Sequence, residues 1–294
     1  MQLTKQVSLL GAVISFYRKV KRRNSLEHSY THILSSEDNL LPQHLDMAEN
    51  AVDDLYRGCS TQAFDMFING GLLEEELNHS EEFSNAWKTK GTSLKPIPGT
   101  SKEHLVALRA YCNDEDFVTT FNQAVKTLGA DAEKYKDQFH FKSFHFLLTD
   151  SMRQLKSKDC KTVYALAEDE IIAKNGSSVR FGRFLKASSN FSYVEKLTDL
   201  SGDFIFNITS CFFANMGPNI CSDKDIVLLS PAEKFTVEND GKVLQKKEES
   251  EYHMITLKHA NLDNFHNCYI FSRCTADSAA CWLVLVLAAL AAWA

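Results

Sequence analysis

Hydrophobic positions recur with a helical period through the first half of the chain and with a strand period through the second. Ala48, Ala51, Val52, Leu55 and Tyr56 fall at helical spacing up to Cys59, which predicts a helix with the acidic pair Asp53 and Asp54 on its solvated face. Ser80 precedes a helical segment running through Trp87, and Pro96, Pro98 and Gly99 then mark a loop. Thr100 with Glu103 reads as a capping box for the helix that carries Leu105, Leu108 and Tyr111. Phe117, Phe121, Ala124, Val125 and Leu128 line one face of the next helix, stopped by Gly129. Phe141, Phe144, Leu148, Met152 and Leu155 form a further apolar stripe. His140 and His145 flank it at a spacing that does not put two metal ligands on one helical face, so both read as structural.

After Cys160 the period changes to two. The stretches VYALAED at 163–169, VRFGRF at 179–184, DFIFNITSC at 203–211 and DIVLLSPAEKF at 225–235 are rich in β-branched and aromatic residues. Each is bounded by polar or Gly/Pro punctuation, as short strands are. In the third, Phe204, Phe206 and Ile208 alternate with Ile205 and Asn207. Residues 235–237 and 243–244 flank Asp240-Gly241, a hairpin signal, and 252–258 and 268–271 complete the predicted strands. Helices first and strands afterwards, in one uninterrupted run, predict an α+β domain.

Composition narrows the class. A chain of 294 residues with 44% hydrophobic and 11% aromatic content is long enough to bury a substantial core. A net charge of −6 argues against a nucleic-acid partner. The eight cysteines include no CxxC and no Cys/His pair at zinc spacing, so they suggest an oxidising compartment, and no metal is expected. The sequons at Asn78, Asn175, Asn190 and Asn207 favour secretion.

Both ends bear on targeting. Residues 279–294 are uninterrupted apolar sequence, too short to cross a bilayer and followed by no basic residue. They read as the removable tail of a GPI-anchor signal, with small residues Thr275, Ala276, Ser278 and Ala279 before them. At the other end, Lys5 precedes an apolar run over 7–17. Arg18, Lys19, Lys21, Arg22 and Arg23 then stand where a signal peptide would have its small-residue cleavage site. The expected organisation is a targeting segment and linker over 1–44, a folded domain over 45–272, and an anchor signal over 273–294. The expected location is the extracellular side of the cell surface, with a lipid anchor to the membrane and cell-surface or extracellular proteins as acceptors or ligands.

The four strand motifs, together with LDMAENAVDDLYRGC at 45–59, resemble the arginine-specific mono-ADP-ribosyltransferases of the vertebrate cell surface. The likeness extends over roughly residues 45–272 and is strongest to catalytically degenerate members. It implies a helical N-terminal half followed by a two-sheet β core, the ADP-ribosyltransferase fold, with NAD or NADP as co-substrate. It also implies disulfides Cys59–Cys268 and Cys160–Cys211, and leaves Cys112, Cys221 and Cys274 unassigned.

The chemistry of that family sets what the site must contain. As the bond between nicotinamide and ribose breaks, positive charge builds on the sugar, and a carboxylate beside it stabilises that state. A second carboxylate orients or deprotonates the incoming guanidinium, an arginine fork steadies the diphosphate, and a serine hydroxyl organises the ribose. Carried over residue by residue, the arginine position falls on Ala165, the serine position on Lys186 and the principal glutamate position on Ile226, with its companion on Lys224. Ser188 keeps the second serine of the pattern. Arg180 and Gly182 match the family and are carried over as cofactor-binding candidates. A one-residue shift before Pro231 would substitute Asp223 and Asp225, making Asp225 a candidate catalytic carboxylate. The resemblance therefore implies a retained scaffold with its catalytic groups lost. The alternative is an active transferase that uses Asp225.

Overall fold

The computed structural model describes residues 42–90, 95–157, 159–198, 200–245 and 250–271. The leader, the basic cluster at 18–23, Cys274 and the apolar tail lie outside the described residues. A two-residue strand β1 (Gln43–His44) pairs in parallel with β3 (Ile171–Ile172), so the folded domain takes in residues assigned above to the linker.

Helices fill the first half: α1 (Ser60–Phe64), continued by a π-helical turn Asp65–Asn69, α2 (Leu72–His79), α3 (Glu81–Lys90), α4 (Lys102–Asn113), α5 (Glu115–Thr127), α6 (Ala132–Gln138) and α7 (Lys142–Leu155). Their apolar stripes converge on one aromatic core in which Phe83, Phe117, Phe121 and Phe144 are wholly buried. Phe117 and Phe121 each meet Phe144 edge-on, at 4.9 and 4.8 Å between ring centres. The cap of α4 lies one residue later than the spacing suggests. Ser101 Oγ accepts from the His104 backbone N–H while His104 Nδ1 accepts from the Ser101 backbone N–H, and the Thr100 hydroxyl donates to Ile97 O instead.

The second half supplies β2 (Lys161–Leu166), β4 (Ser178–Arg180), β5 (Leu185–Ser188), a short helix α8 (Ser192–Glu195), β6 (Phe204–Ser210), β7 (Phe213–Asn215), α9 (Gly217–Ile220), β8 (Ile226–Leu229), β9 (Glu233–Gln245) and β10 (Ser250–Leu262). Among the described residues the strand order is β4-β9-β10-β6-β2-β5-β8-β7. Between β2 and β5 the ladder narrows to the single pair Tyr164↔Ser188, so this order divides into two halves at that point. Leu185, Ala187, Val227 and Leu229 from one half share an apolar cluster with Val163, Ala165, Phe206 and Ile255 from the other. One apolar cluster thus spans both halves of a single eight-stranded mixed sheet. The opposite face of β5 and β8 turns Ile226 and Leu228 into the helical core, beside Phe184 at the entry to β5.

Three expectations need correction. Residues 45–58 are not helical: Ala48 and Tyr56 adopt positive φ, and Asp53 and Asp54 are 1% exposed rather than solvated. The apolar spacing there arises because the segment is threaded under α5 and α7, with Val52 N–H bonded to Val125 O. Periodicity reports which positions are buried, not which hydrogen-bond partner their backbone finds. Asp240-Gly241 makes no turn. Both residues lie inside β9, paired with Ile255 and Met254 of β10, and the connection falls at 246–249, outside the described residues. Residues 269–271 form a 3₁₀ turn, not a strand, because Asp54 accepts the backbone N–H groups of Cys268 and Tyr269 and curls the segment around its carboxylate.

Disulfides join Cys59 to Cys268, Cys160 to Cys211 and Cys112 to Cys221. The last ties α4 to the residue after α9, a pairing that sequence leaves open.

Candidate active-site cleft

The family positions lie on neighbouring strands but on opposite faces: Ala165 belongs to the cluster that holds Ala187 and Val227, whereas Ile226 belongs to the helical core. On β5 and β8 the register pairs Lys186 with Leu228 and Ser188 with Ile226, so these four share one face. Ala165 lies next to Tyr164 on β2, which reaches β5 through the Tyr164–Ser188 pair.

Each side chain occupies a defined environment. Ile226 is 2% exposed and belongs to the helical core. A carboxylate there would lie among apolar groups. Ser188 is buried, and its Oγ accepts from the Asn190 backbone N–H at 3.1 Å. Lys186 reaches the rim, where its Nζ stands 3.7 Å from Oε1 of Glu115 in the first turn of α5. Ala165 is buried in the cluster between the half-sheets, on β2 opposite Phe206 of β6. Asp223 and Asp225 form a charged turn in which Asp223 Oδ1 accepts from the Asp225 N–H at 2.9 Å. Asp225 O accepts from the Ser189 N–H, extending the β5–β8 ladder by one step. Asp225 itself lies in the turn before β8, one residue ahead of the first register pair, Ser188 with Ile226.

Arg180 is a buried anchor. Its Nε donates to Met47 O at 2.7 Å, Nη1 to Asp53 Oδ2 at 2.6 Å and to Asp263 O at 2.8 Å, and Nη2 to Ala48 O at 3.2 Å. The guanidinium also stacks 4.5 Å from the Phe265 ring. With its side chain sealed from solvent, this fork is committed to protein acceptors and does not fit the role of a diphosphate ligand. Gly182 has φ +61 and its backbone runs so close to Ala48 that an added Cβ would lie 2.4 Å from the Ala48 Cβ. Its glycine is thereby accounted for by packing.

Sequence reasoning missed the charged groups that rim this region. Arg183 pairs with Glu168 at 3.3 Å. Burial lowers the Lys126 ammonium below its ordinary range and the nearby Arg183 adds to the effect. Tyr111 OH and Asn122 Nδ2 both donate to Phe184 O, at 2.7 and 3.2 Å, and hold the entry to β5. Arg183 and Glu168 lie in loops, where no period marks a position, and Tyr111 and Asn122 are buried against a carbonyl far away in the chain. Among the described residues no group of three or more His, Cys, Asp or Glu is placed to hold a metal ion. His145 is buried: its Nε2 faces Val52 O at 3.0 Å, which leaves Nδ1 to accept from Tyr56 OH. His140 lies against His79 with ring centres 3.8 Å apart and the planes tilted by 33°. Of the sequon asparagines, Asn78, Asn175 and Asn190 are exposed and Asn207 is half-buried within β6.

A family model described as NAD:arginine ADP-ribosyltransferase matches residues 45–261. This chain belongs to that family. It is 30% identical over 264 residues to GPI-linked NAD(P)(+)--arginine ADP-ribosyltransferase 1 of Mus musculus, covering 81% of this chain and 77% of that protein. It is 26% identical to ecto-ADP-ribosyltransferase 4 of Mus musculus, covering 80% and 79% of the two chains. The crystal structure of the eucaryotic mono-ADP-ribosyltransferase ART2.2 superposes with a TM-score of 0.63 at 26% identity, covering 79% of this chain and all of that one. A glutamate-to-isoleucine mutant of ART2.2 in complex with NAD superposes with a TM-score of 0.64, also at 26% identity, covering 79% of this chain and 100% of the mutant. The α+β ADP-ribosyltransferase architecture of this family member thus agrees with the fold expected from sequence. Among the described residues no helix is long and apolar enough to cross a membrane.

Proposed function

We propose that this protein is a cell-surface, GPI-anchored member of the family in which the scaffold serves binding and ADP-ribose transfer has been lost. The observation that carries the reading is the shared face of β5 and β8, where the serine and glutamate positions are held by Lys186 and Ile226. Ile226 is embedded in the helical core, and Lys186 brings a positive charge where nicotinamide, itself cationic until it leaves, would be handled. Loss of one preorganised charged group typically costs about 3 kcal/mol in the transition state, and here the arginine position is also empty of charge at Ala165. The alternative carboxylate is Asp225, which lies in the charged turn before β8 with its N–H bonded to Asp223 Oδ1.

The domain at 45–272 is the unit that performs the binding, with the segments before and after it serving targeting and anchoring. The names of the curated relatives, which describe GPI-linked and ecto enzymes, support that placement. NAD or NADP is the nucleotide to test in the cleft. A relative with isoleucine in place of a glutamate has been crystallised with NAD, so an isoleucine alone is no bar to binding.

The test is incubation of the purified protein with labelled NAD and an arginine acceptor. No transfer above background is expected. Transfer that is abolished by Asp225→Ala would overturn the reading. Release of the protein from cells by a phosphatidylinositol-specific phospholipase checks the anchor, and resistance to release would remove that part.

A further inference from the structure

The first turn of α4 brings a hydroxyl, an imidazole and a carboxylate into sequence. Ser101 Oγ stands 2.9 Å from Nδ1 of His104, and His104 Nε2 stands 3.1 Å from Oδ2 of Asp150 in α7. That is the order of a nucleophile, its base and the group that orients the base. With Nε2–H donated to Asp150, Nδ1 carries the lone pair and accepts from the Ser101 backbone N–H at 3.1 Å, so the lone pair points at Ser101. Phe64 stacks on the His104 ring, and Asp150 accepts further bonds from Arg153 and Gln154. His104 and Asp150 are 2% and 6% exposed while Ser101 is only half-buried, so the hydroxyl is the most accessible of the three. Two neighbouring features suit acyl transfer. Lys102 and Glu103 open α4, where backbone N–H groups have no acceptor within the helix, and a serine directly before them sets those donors where an oxyanion would form. Glu103, whose Oε2 is 2.7 Å from the Ser101 hydroxyl, also lines a cavity of about 290 Å³ whose walls include Leu73, Leu77, Trp87 and Val106.

We propose that Ser101 is a nucleophile served by His104 and Asp150, and that this second site hydrolyses carboxylic esters with short apolar acyl groups. Ser101 Oγ attacks the ester carbonyl as its proton passes to His104 Nδ1. The bond from the carbonyl carbon to the alcohol oxygen then breaks, and the alcohol leaves with that proton. Water, giving a proton to Nδ1 in its turn, releases the carboxylic acid and restores the serine. The acyl chain lies in the cavity beside Glu103, and its apolar walls and small volume set the preference for short chains. This activity goes beyond the binding role proposed above and shares no residue with the positions on β2, β5 and β8.

The test treats the purified full chain with a fluorophosphonate probe, which transfers its phosphonyl group to an activated serine as fluoride leaves. Peptide mass spectrometry is expected to find the adduct at Ser101. His104→Gln is the deciding variant, because glutamine at the third helical position completes a capping box as histidine does here, yet cannot take a proton. Its urea midpoint should stay near that of the parent while the rate of Ser101 labelling falls by about a hundredfold. The parent should cleave p-nitrophenyl butyrate and Ser101→Ala should not. Leu77→Trp, which fills the cavity, should slow that cleavage several-fold. A Ser101 that takes no label, or takes it equally fast in His104→Gln, overturns the proposal. Labelling without butyrate cleavage overturns the esterase reaction, and cleavage unchanged in Leu77→Trp overturns the cavity's part in it.

Discussion

Arg180 and Asp53 meet at 2.6 Å with neither side chain reaching solvent. Asp53 Oδ2 also accepts from the Phe265 N–H and Oδ1 from the His266 N–H, so one carboxylate ties β4 to the segment that follows β10. Its neighbour Asp54 takes the N–H groups of Cys268 and Tyr269, and the Cys59–Cys268 disulfide closes the same seam. The start of the domain and its C-terminal segment are thereby fastened around two buried aspartates. Burial pushes the Asp54 carboxyl pKa up, against the opposing pull of those N–H donors.

Removing one partner of this pair leaves the other charge buried and uncompensated. Arg180→Met is expected to lower unfolding free energy by about 3–5 kcal/mol, read as a lower urea midpoint. NAD affinity per folded molecule should not change. A specific loss of NAD binding at unchanged stability would return Arg180 to the ligand site.

Lys186→Ser removes the positive charge from the rim and frees Glu115. NAD binding should tighten by about tenfold, ~1.4 kcal/mol, in calorimetry. Unchanged affinity would mean that Lys186 neither crowds nor repels the nucleotide.

Two buried groups move acid stability in opposite directions. Burial lowers His145 from 6.5 to about 4, so the unfolded chain binds more protons between those values and stability falls as pH drops through that range. Burial raises Glu76 from 4.5 to about 6 despite its bonds from the Lys142 and Ser143 N–H groups, so there the folded chain binds more protons and stability rises as pH drops. Glu76→Gln deletes the offsetting contribution. Its unfolding midpoint should decline more steeply than that of the parent between about pH 6 and 4.5. Parallel profiles would show that Glu76 does not titrate in that window.

Gly182→Ala puts a methyl group 2.4 Å from the Ala48 Cβ at a residue with φ +61. Strain and overpacking together predict a loss of about 2–4 kcal/mol in thermal or urea unfolding. A neutral result would mean that the 45–50 segment shifts freely away from β4.

Sequence alone determined the α+β order, strands within 163–169, 203–211 and 225–235, and the kinship that points to positions 165, 186 and 226. These rest on local periodicity and on motifs a few residues long, and both survive when a chain is read without its partners. Only the tertiary structure decided that 45–58 is an extended, threaded segment, that Asp53 and Asp54 are interior anchors, and that Arg180 serves the scaffold. Only it paired Cys112 with Cys221 and placed Glu115 beside Lys186. The physical reason is the same in each case. A buried charge or a paired thiol is defined by a partner far away in the chain, Arg180 being 127 residues from Asp53, and no local pattern encodes that distance.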